Sequence, residues 1–120
     1  MKAMWVMICG PYRSNTKSEI ERAENLRQLN VAAVEVFRRG HVPIVGVNLG
    51  LPLIQIAGEE HYDSIMMPLS LAAAERCDAA LRVGGPSRGA DEEVERIRTR
   101  GGLVYYDVND LPYATSFSLG

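Results

Sequence analysis

Apolar and polar positions fall into blocks along this chain, and the blocks predict strands and helices in turn. Met4-Trp5-Val6-Met7-Ile8-Cys9 is a short, nearly continuous apolar run, the pattern of a strand covered on both faces in a parallel sheet. Gly10-Pro11 breaks it, and Tyr12-Arg13-Ser14-Asn15 follows as a polar loop. Ser18 and Glu21 have the spacing of a capping box and open a helix. Within it Ala23, Leu26, Asn30, Ala33, Val34 and Phe37 recur at three- and four-residue intervals, which predicts the core-facing stripe. Arg38-Arg39-Gly40 ends the helix with cations and a C′ glycine.

His41-Val42-Pro43-Ile44-Val45 reads as a second strand, and Pro43 places it at a sheet edge. From Gly46 to Tyr62 glycine and proline interrupt the apolar residues, so a long loop is expected, with a short helix around Leu53 to Ala57. A helix over about Asp63 to Arg76 follows, its main part started or kinked by Pro68. Ala79 to Val83 is the third strand and Asp91 to Arg100 the last clear helix, closed by Gly101-Gly102. Leu103 to Tyr106 is the fourth strand, and Asn109 to Gly120 shows no period.

Strands alternating with helices predict an α/β, doubly wound parallel sheet in three α/β/α layers. Right-handed crossovers give a flavodoxin-like strand order of about 2-1-3-4. Ligands of such sheets bind beyond the carboxyl ends of the strands, at the switch point between strands one and three. Gly10 to Ser14 and Gly84 to Gly89 both leave those ends.

Composition narrows the partners. With 120 residues, 47% of them hydrophobic and 23% charged, the chain has the size and make-up of one globular domain over 1–120. The formal net charge of −2 and scattered arginines disfavour a nucleic-acid polymer. No apolar run approaches the roughly 20 residues of a membrane span. The amino-terminal segment lacks the length and cleavage site of a signal peptide. Cys9 and Cys77 have no metal-ligand neighbours at the usual spacings and read as buried hydrophobes in a reducing, cytoplasmic protein.

The chemistry concentrates in Gly84-Gly85-Pro86-Ser87-Arg88-Gly89-Ala90-Asp91-Glu92-Glu93. Strand, glycine-rich turn and helix start are the geometry in which backbone N–H groups converge on an anion. Ser87 is an N-cap candidate and Gly89 allows a close backbone approach; a capped helix after a tight turn explains both without a ligand. Arg13, after strand one, is placed either to grip a phosphate or to lie solvated, as is Arg88. Three acids near a helix start are each favoured by ~0.3–1 kcal/mol through the helix dipole alone. Their directions differ: Glu92 can pair with Arg96 on a solvent face, whereas Glu93 shares its side with Ala90 and Ile97. His61 lies among Glu59, Glu60 and Asp63, a weak pattern for a metal, and no metal or cofactor is expected. No Walker loop, dinucleotide fingerprint or nucleophile elbow is present. A phosphoacceptor receiver domain would need clustered acids after strand one and a late lysine, but Lys2 and Lys17 are the only lysines.

Taken in order, Ile8-Cys9-Gly10-Pro11-Tyr12-Arg13-Ser14, Arg39-Gly40-His41-Val42-Pro43, Ala74-Glu75-Arg76-Cys77-Asp78-Ala79-Ala80-Leu81 and Ser87-Arg88-Gly89-Ala90-Asp91-Glu92-Glu93 resemble the nucleoside 2-deoxyribosyltransferase superfamily. The nearer likeness is to its small bacterial and phage-type branch, over Met4 to about Tyr105. The resemblance implies that Glu93 is the nucleophile on an anomeric carbon. It also implies that Gly10, Tyr12, Arg13, Ser87 and Gly89 hold the phosphate of a nucleoside monophosphate. The partner implied is a small-molecule nucleotide or nucleoside, and the assembly a homodimer or higher homo-oligomer. Trp5, Met66-Met67 and the segment from Tyr113 to Leu119 are candidate contacts, although core packing explains Trp5 and one methionine equally well.

One departure stands out. Active members carry an aspartate on the helix before strand three that helps protonate the leaving base, and that place falls near Ser70, with Ala72 two residues on. Neither is acidic; Asp63 or Glu60 are the substitutes the sequence offers. Asp78 is expected to act structurally at the strand entrance. The expected function is therefore an N-glycosidase or deoxyribosyltransferase-like enzyme. The alternatives are a non-catalytic nucleotide or phosphosugar sensor that kept the cradle and lost the acid, and a plain interaction domain.

Overall fold

A computed structural model describes residues 1–115 and 117. Four strands, β1 (Trp5–Cys9), β2 (Val42–Ile44), β3 (Ala79–Arg82) and β4 (Leu103–Tyr105), form one sheet in the order β2-β1-β3-β4, with every pairing parallel. The helices are α1 (Glu19–Arg38), α2 (Gly46–Ala57), α3 (Tyr62–Ala74) and α4 (Arg88–Thr99). The result is the flavodoxin-like, three-layer α/β architecture expected from the alternation of elements.

Apolar residues alternate to the two faces of the central strands and build two cores. Val6, Ile8, Ala79 and Leu81 meet Leu29 and Val36 of α1 on one face. Met7, Cys9 and Ala80 meet Ala74 of α3 and Ala90, Val94 and Ile97 of α4 on the other. Pro43 sits in the edge strand β2, as the missing ladder donor requires. Asp78 accepts from the Trp5 backbone N–H through Oδ2 at 2.8 Å, tying the entrances of β3 and β1 together.

Three expectations need correction. Gly46 to Tyr62 is not a long loop: α2 takes twelve of these residues, and a 3-10 turn over Glu59–His61 joins it to α3. Pro52 lies inside α2 and Pro68 inside α3, both tolerated because packing of α2 on α3 outweighs the lost backbone bonds. The core stripe of α1 also lies one position over from the expected one. Leu29 and Val36 are buried with Ala32 and Ala33 beside them, whereas Ala23 and Val34 are exposed. From Leu29 to Phe37 the helix is apolar almost all round, so spacing alone did not choose the buried face. Finally, Glu92 pairs with Arg88 at 3.4 Å, and Arg96 reaches across to Glu75 of the α3 C-cap.

Candidate functional site

Two loops leave the centre of the sheet side by side. Gly10 to Ser14 follows β1 and Val83 to Ser87 follows β3, and β1 and β3 are direct neighbours with Cys9 opposite Arg82. The loops are bonded to each other. The Ser14 hydroxyl donates to Ser87 Oγ at 3.1 Å, and Asn15 Nδ2 donates to the Pro86 carbonyl at 3.3 Å. Asn15 takes φ 60, a left-handed conformation that asparagine accepts more readily than most side chains. Gly10 has no room for a side chain: a Cβ there would lie 2.8 Å from Leu29 Cδ2 and 2.9 Å from the Val83 carbonyl oxygen. The close approach of the two loops therefore requires glycine at this position.

Ser87 is the N-cap of α4. Its backbone is extended, and its hydroxyl accepts from the Ala90 N–H at 3.2 Å. A cap of this kind is worth ~1 kcal/mol, and it also fixes the direction in which the first N–H groups of α4 point. One turn further, Glu93 lies on the inward face of α4 with Ala90, Val94 and Ile97, and only 8% of its surface is exposed. Asp91 and Glu92 are exposed. The three neighbouring acids thus separate into one buried and two solvated carboxylates.

Glu93 is buried beside few groups. The Ser70 hydroxyl of α3 and the Cys9 thiol of β1 lie beside its carboxyl and favour the charged form, as does Arg82 more weakly. Burial outweighs all three and pushes the carboxyl up to about 7. The Cys9 thiol is itself driven well above its ordinary value, first by burial and then by the charge of Glu93. Gly46, the first residue of α2, completes the wall. A Cβ on it would overlap the Ser70 side chain and come within 3.1 Å of Glu93 Oε2.

Glu93, Ser70 and Gly46 line one cavity of about 140 Å³ at the carboxyl ends of β1 and β3, with Cys9 and Arg82 outside its lining. Gly10, Tyr12, Arg13, Ser87, Gly89 and Glu93, the six residues singled out from sequence, all contribute to its lining. Met66, Met67 and Tyr62 close it from α3. Arg13 is exposed, and its guanidinium lies 3.9 Å from the centre of the Tyr62 ring, a cation–π contact that fixes the arginine at the cavity mouth. Burial raises the Tyr62 phenol to about 12, with Arg13 opposing it, so the hydroxyl stays protonated across the neutral range. Arg88 points away, its side chain almost wholly exposed.

Among the described residues Glu93 is the only carboxylate lining the cavity; Asp63 and Glu60 are exposed and lie outside it. His61 stands 3.7 Å from Glu60 on the surface, and the described residues hold no cluster of three metal-ligating side chains. Of the candidate contacts, Met66 is buried, Met67 lines the cavity and Trp5 is half exposed; Ser116 and residues 118–120 lie outside the described residues.

Sequence reasoning missed Ser70, Cys9 and Arg82 as neighbours of Glu93. In the sequence Ser70 stands out only as a non-acidic residue in an acid's place, and Arg82 lies within an apolar strand segment. A charged residue at the end of a buried strand was the signal available for Arg82. Among the described residues no helix is long and apolar enough to cross a membrane. No protein-family model matches the chain, and no curated protein is detectably similar to it in sequence.

Proposed function

We propose that this protein cleaves or transfers the N-glycosidic bond of a nucleoside or deoxynucleoside monophosphate. The observation that carries the reading is Glu93, the one buried carboxylate among the described residues, facing a cavity that also receives the N-terminus of α4 and the loop after β1. In this reading the phosphate sits against Ser87, Gly89 and the Gly10–Arg13 loop, where N–H dipoles and one guanidinium meet a dianion. The sugar then presents its anomeric carbon to Glu93.

The chemistry runs in two displacements. A Glu93 carboxylate oxygen bonds to C1′ while the C1′–N bond breaks and its electron pair leaves on the base, which takes a proton from solvent. Water, or the ring nitrogen of a second base, then attacks C1′ and releases the carboxylate. Water makes the protein a hydrolase and a second base makes it a transferase. The resemblance to nucleoside 2-deoxyribosyltransferases supports this assignment of roles, and a homodimer belongs to the same proposal.

A second reading is supported by one observation. The place of the family's acid falls near Ser70, and among the described residues no carboxylate other than Glu93 lines the cavity. Departure of a base without a general acid loses about 10²–10⁴ in rate. A cradle with so slow a chemical step would serve as a nucleotide or phosphosugar sensor.

Incubation of the protein with a panel of nucleoside monophosphates, followed by chromatography for free base, separates the readings. The enzyme releases base from at least one nucleotide, and Glu93→Gln abolishes release. Undiminished release by the variant would sink the role of Glu93. A nucleotide that raises the melting temperature yet is recovered intact after long incubation identifies the sensor.

A further inference from the structure

Arg82 is an unusual residue for the end of a central strand. It lies on the face of β3 that α4 covers, directly opposite Cys9, and its side chain is only 12% exposed. A guanidinium cannot shed its charge, so burial is tolerable only if its donors are paired. They are. Nη1 donates to the Val83 carbonyl at 2.5 Å, Nη2 to the Gly85 carbonyl at 2.9 Å, and Nε to Asp91 Oδ1 on the first turn of α4 at 3.0 Å. One planar side chain thereby fastens both ends of the Gly84–Ser87 turn, the strand side through two carbonyls and the helix side through Asp91.

Resting on the reading above, we propose that Arg82 is the positioning residue of the site: it holds the β3–α4 turn in its anion-receiving shape and supplies the positive charge behind Glu93. Two independent placements support this. The turn that Arg82 grips is the one that presents Ser87 and the first N–H groups of α4 to the cavity. In addition, Arg82 stands opposite Cys9 in the sheet, on the face that α4 covers, and its charge favours the ionised forms of the buried Cys9 and Glu93.

The other groups around Glu93 do not replace that charge. Ser70 from α3 and Cys9 from β1 are neutral, and from the start of α2 Gly46 and Val47, both uncharged, line the cavity. From the β1–α1 loop and the start of α3, Tyr12, Arg13 and Tyr62 share the cavity, with Arg13 stacked on Tyr62 at its mouth. Arg82 is the cation that acts from beneath.

The test uses the whole protein, inorganic phosphate as the probe, and the carboxyl signal of Glu93 followed by carbon NMR as pH is varied. Arg82→Met is expected to raise the Glu93 midpoint by roughly a few tenths of a pH unit and to weaken phosphate binding about tenfold. Arg82→Lys keeps the charge but not the fork, so the midpoint stays near wild type while phosphate still weakens. A merely structural arginine would lower the melting temperature and leave the midpoint where it was. A folded Arg82→Met protein in which either reading matches wild type overturns the proposal. Should that variant not fold, Arg82→Lys decides, and wild-type phosphate affinity in it is the overturning result. If wild-type protein binds no phosphate at all, the proposed function fails, while the Glu93 midpoint still decides whether Arg82 acts on that carboxyl.

Discussion

Ser70 Oγ and Glu93 Oε2 both lie against the backbone of Gly46, so the helix before β3 brings a neutral hydroxyl donor to the candidate nucleophile. A donor of this kind favours the charged carboxylate and opposes burial, which is the larger effect. Ser70→Ala is therefore expected to push Glu93 further above about 7, and any activity that needs the carboxylate shifts to higher pH with it. Carbon NMR of the Glu93 side chain checks the first statement and a pH–rate profile the second. An unmoved midpoint would mean that the hydroxyl does not bond the carboxyl in solution.

Ser70→Asp asks the complementary question. Beside Glu93 a second buried carboxyl would share a proton with it, since two charges at such a site are not tolerated together. The shared proton is available to a departing base. Base release from a nucleoside monophosphate is expected to rise by roughly 10²-fold. A rate equal to wild type, in a folded variant that still binds phosphate, would show that the leaving base needs no acid from α3.

Burial of Glu93 also makes stability depend on pH. Its carboxyl lies near 4.5 in the unfolded chain and about 7 in the folded protein, so between those values the folded state holds the extra proton. The contribution of Glu93 to stability is then greatest below 4.5 and is lost as pH rises through the folded value. The total loss is roughly 3 kcal/mol, at 1.36 kcal/mol for each pH unit between the two midpoints. Glu93→Gln removes this dependence. Urea unfolding at intervals from pH 5 to pH 8 is expected to show the variant gaining on wild type as pH rises. Parallel curves would place the folded carboxyl near its ordinary value.

How much of this could be read from the chain depends on the length scale of each signal. β1, β3 and α4 were legible because their signals are local: an apolar run, a serine cap, an acidic first turn. Ser87 and Glu93 followed from the same local rules, and Glu93 separated from Asp91 and Glu92 by helical phase alone. α2 was not legible, because Gly46, Gly50 and Pro52 argue locally against a helix. Gly50 is used for contact, since a Cβ there would lie 2.7 Å from Met66 Sδ, and that pressure comes from α3 rather than from neighbours in sequence. The groups that set the state of Glu93 were hidden for the same reason. Cys9, Ser70 and Arg82 lie 84, 23 and 11 positions before Glu93 along the chain and meet it only once the sheet and both helices are assembled.

His41 tests whether the two ends of the sheet are independent. It is fully buried at the start of β2, away from the strand ends that carry the cavity. Its Nδ1 accepts from the Met4 N–H at 2.9 Å, which places the proton on Nε2, and Nε2 donates to the Pro112 carbonyl at 2.6 Å. Around it Arg39 Nη1 donates to the Leu111 carbonyl at 2.8 Å, and the Ala114 N–H donates to the Arg39 carbonyl at 2.7 Å. These bonds strap residues 111–114 across the end of α1. His41→Phe keeps the ring volume but leaves the Met4 N–H and the Pro112 carbonyl without partners, at about 2 kcal/mol of stability. Amide exchange at Ala114 should accelerate in the variant, since its strap loses an anchor. Phosphate affinity and the Glu93 midpoint should stay as in wild type, because neither Met4 nor Pro112, the hydrogen-bond partners of the His41 ring, lines the cavity. Weakened phosphate binding in His41→Phe would show that the strap and the candidate site are coupled through the sheet.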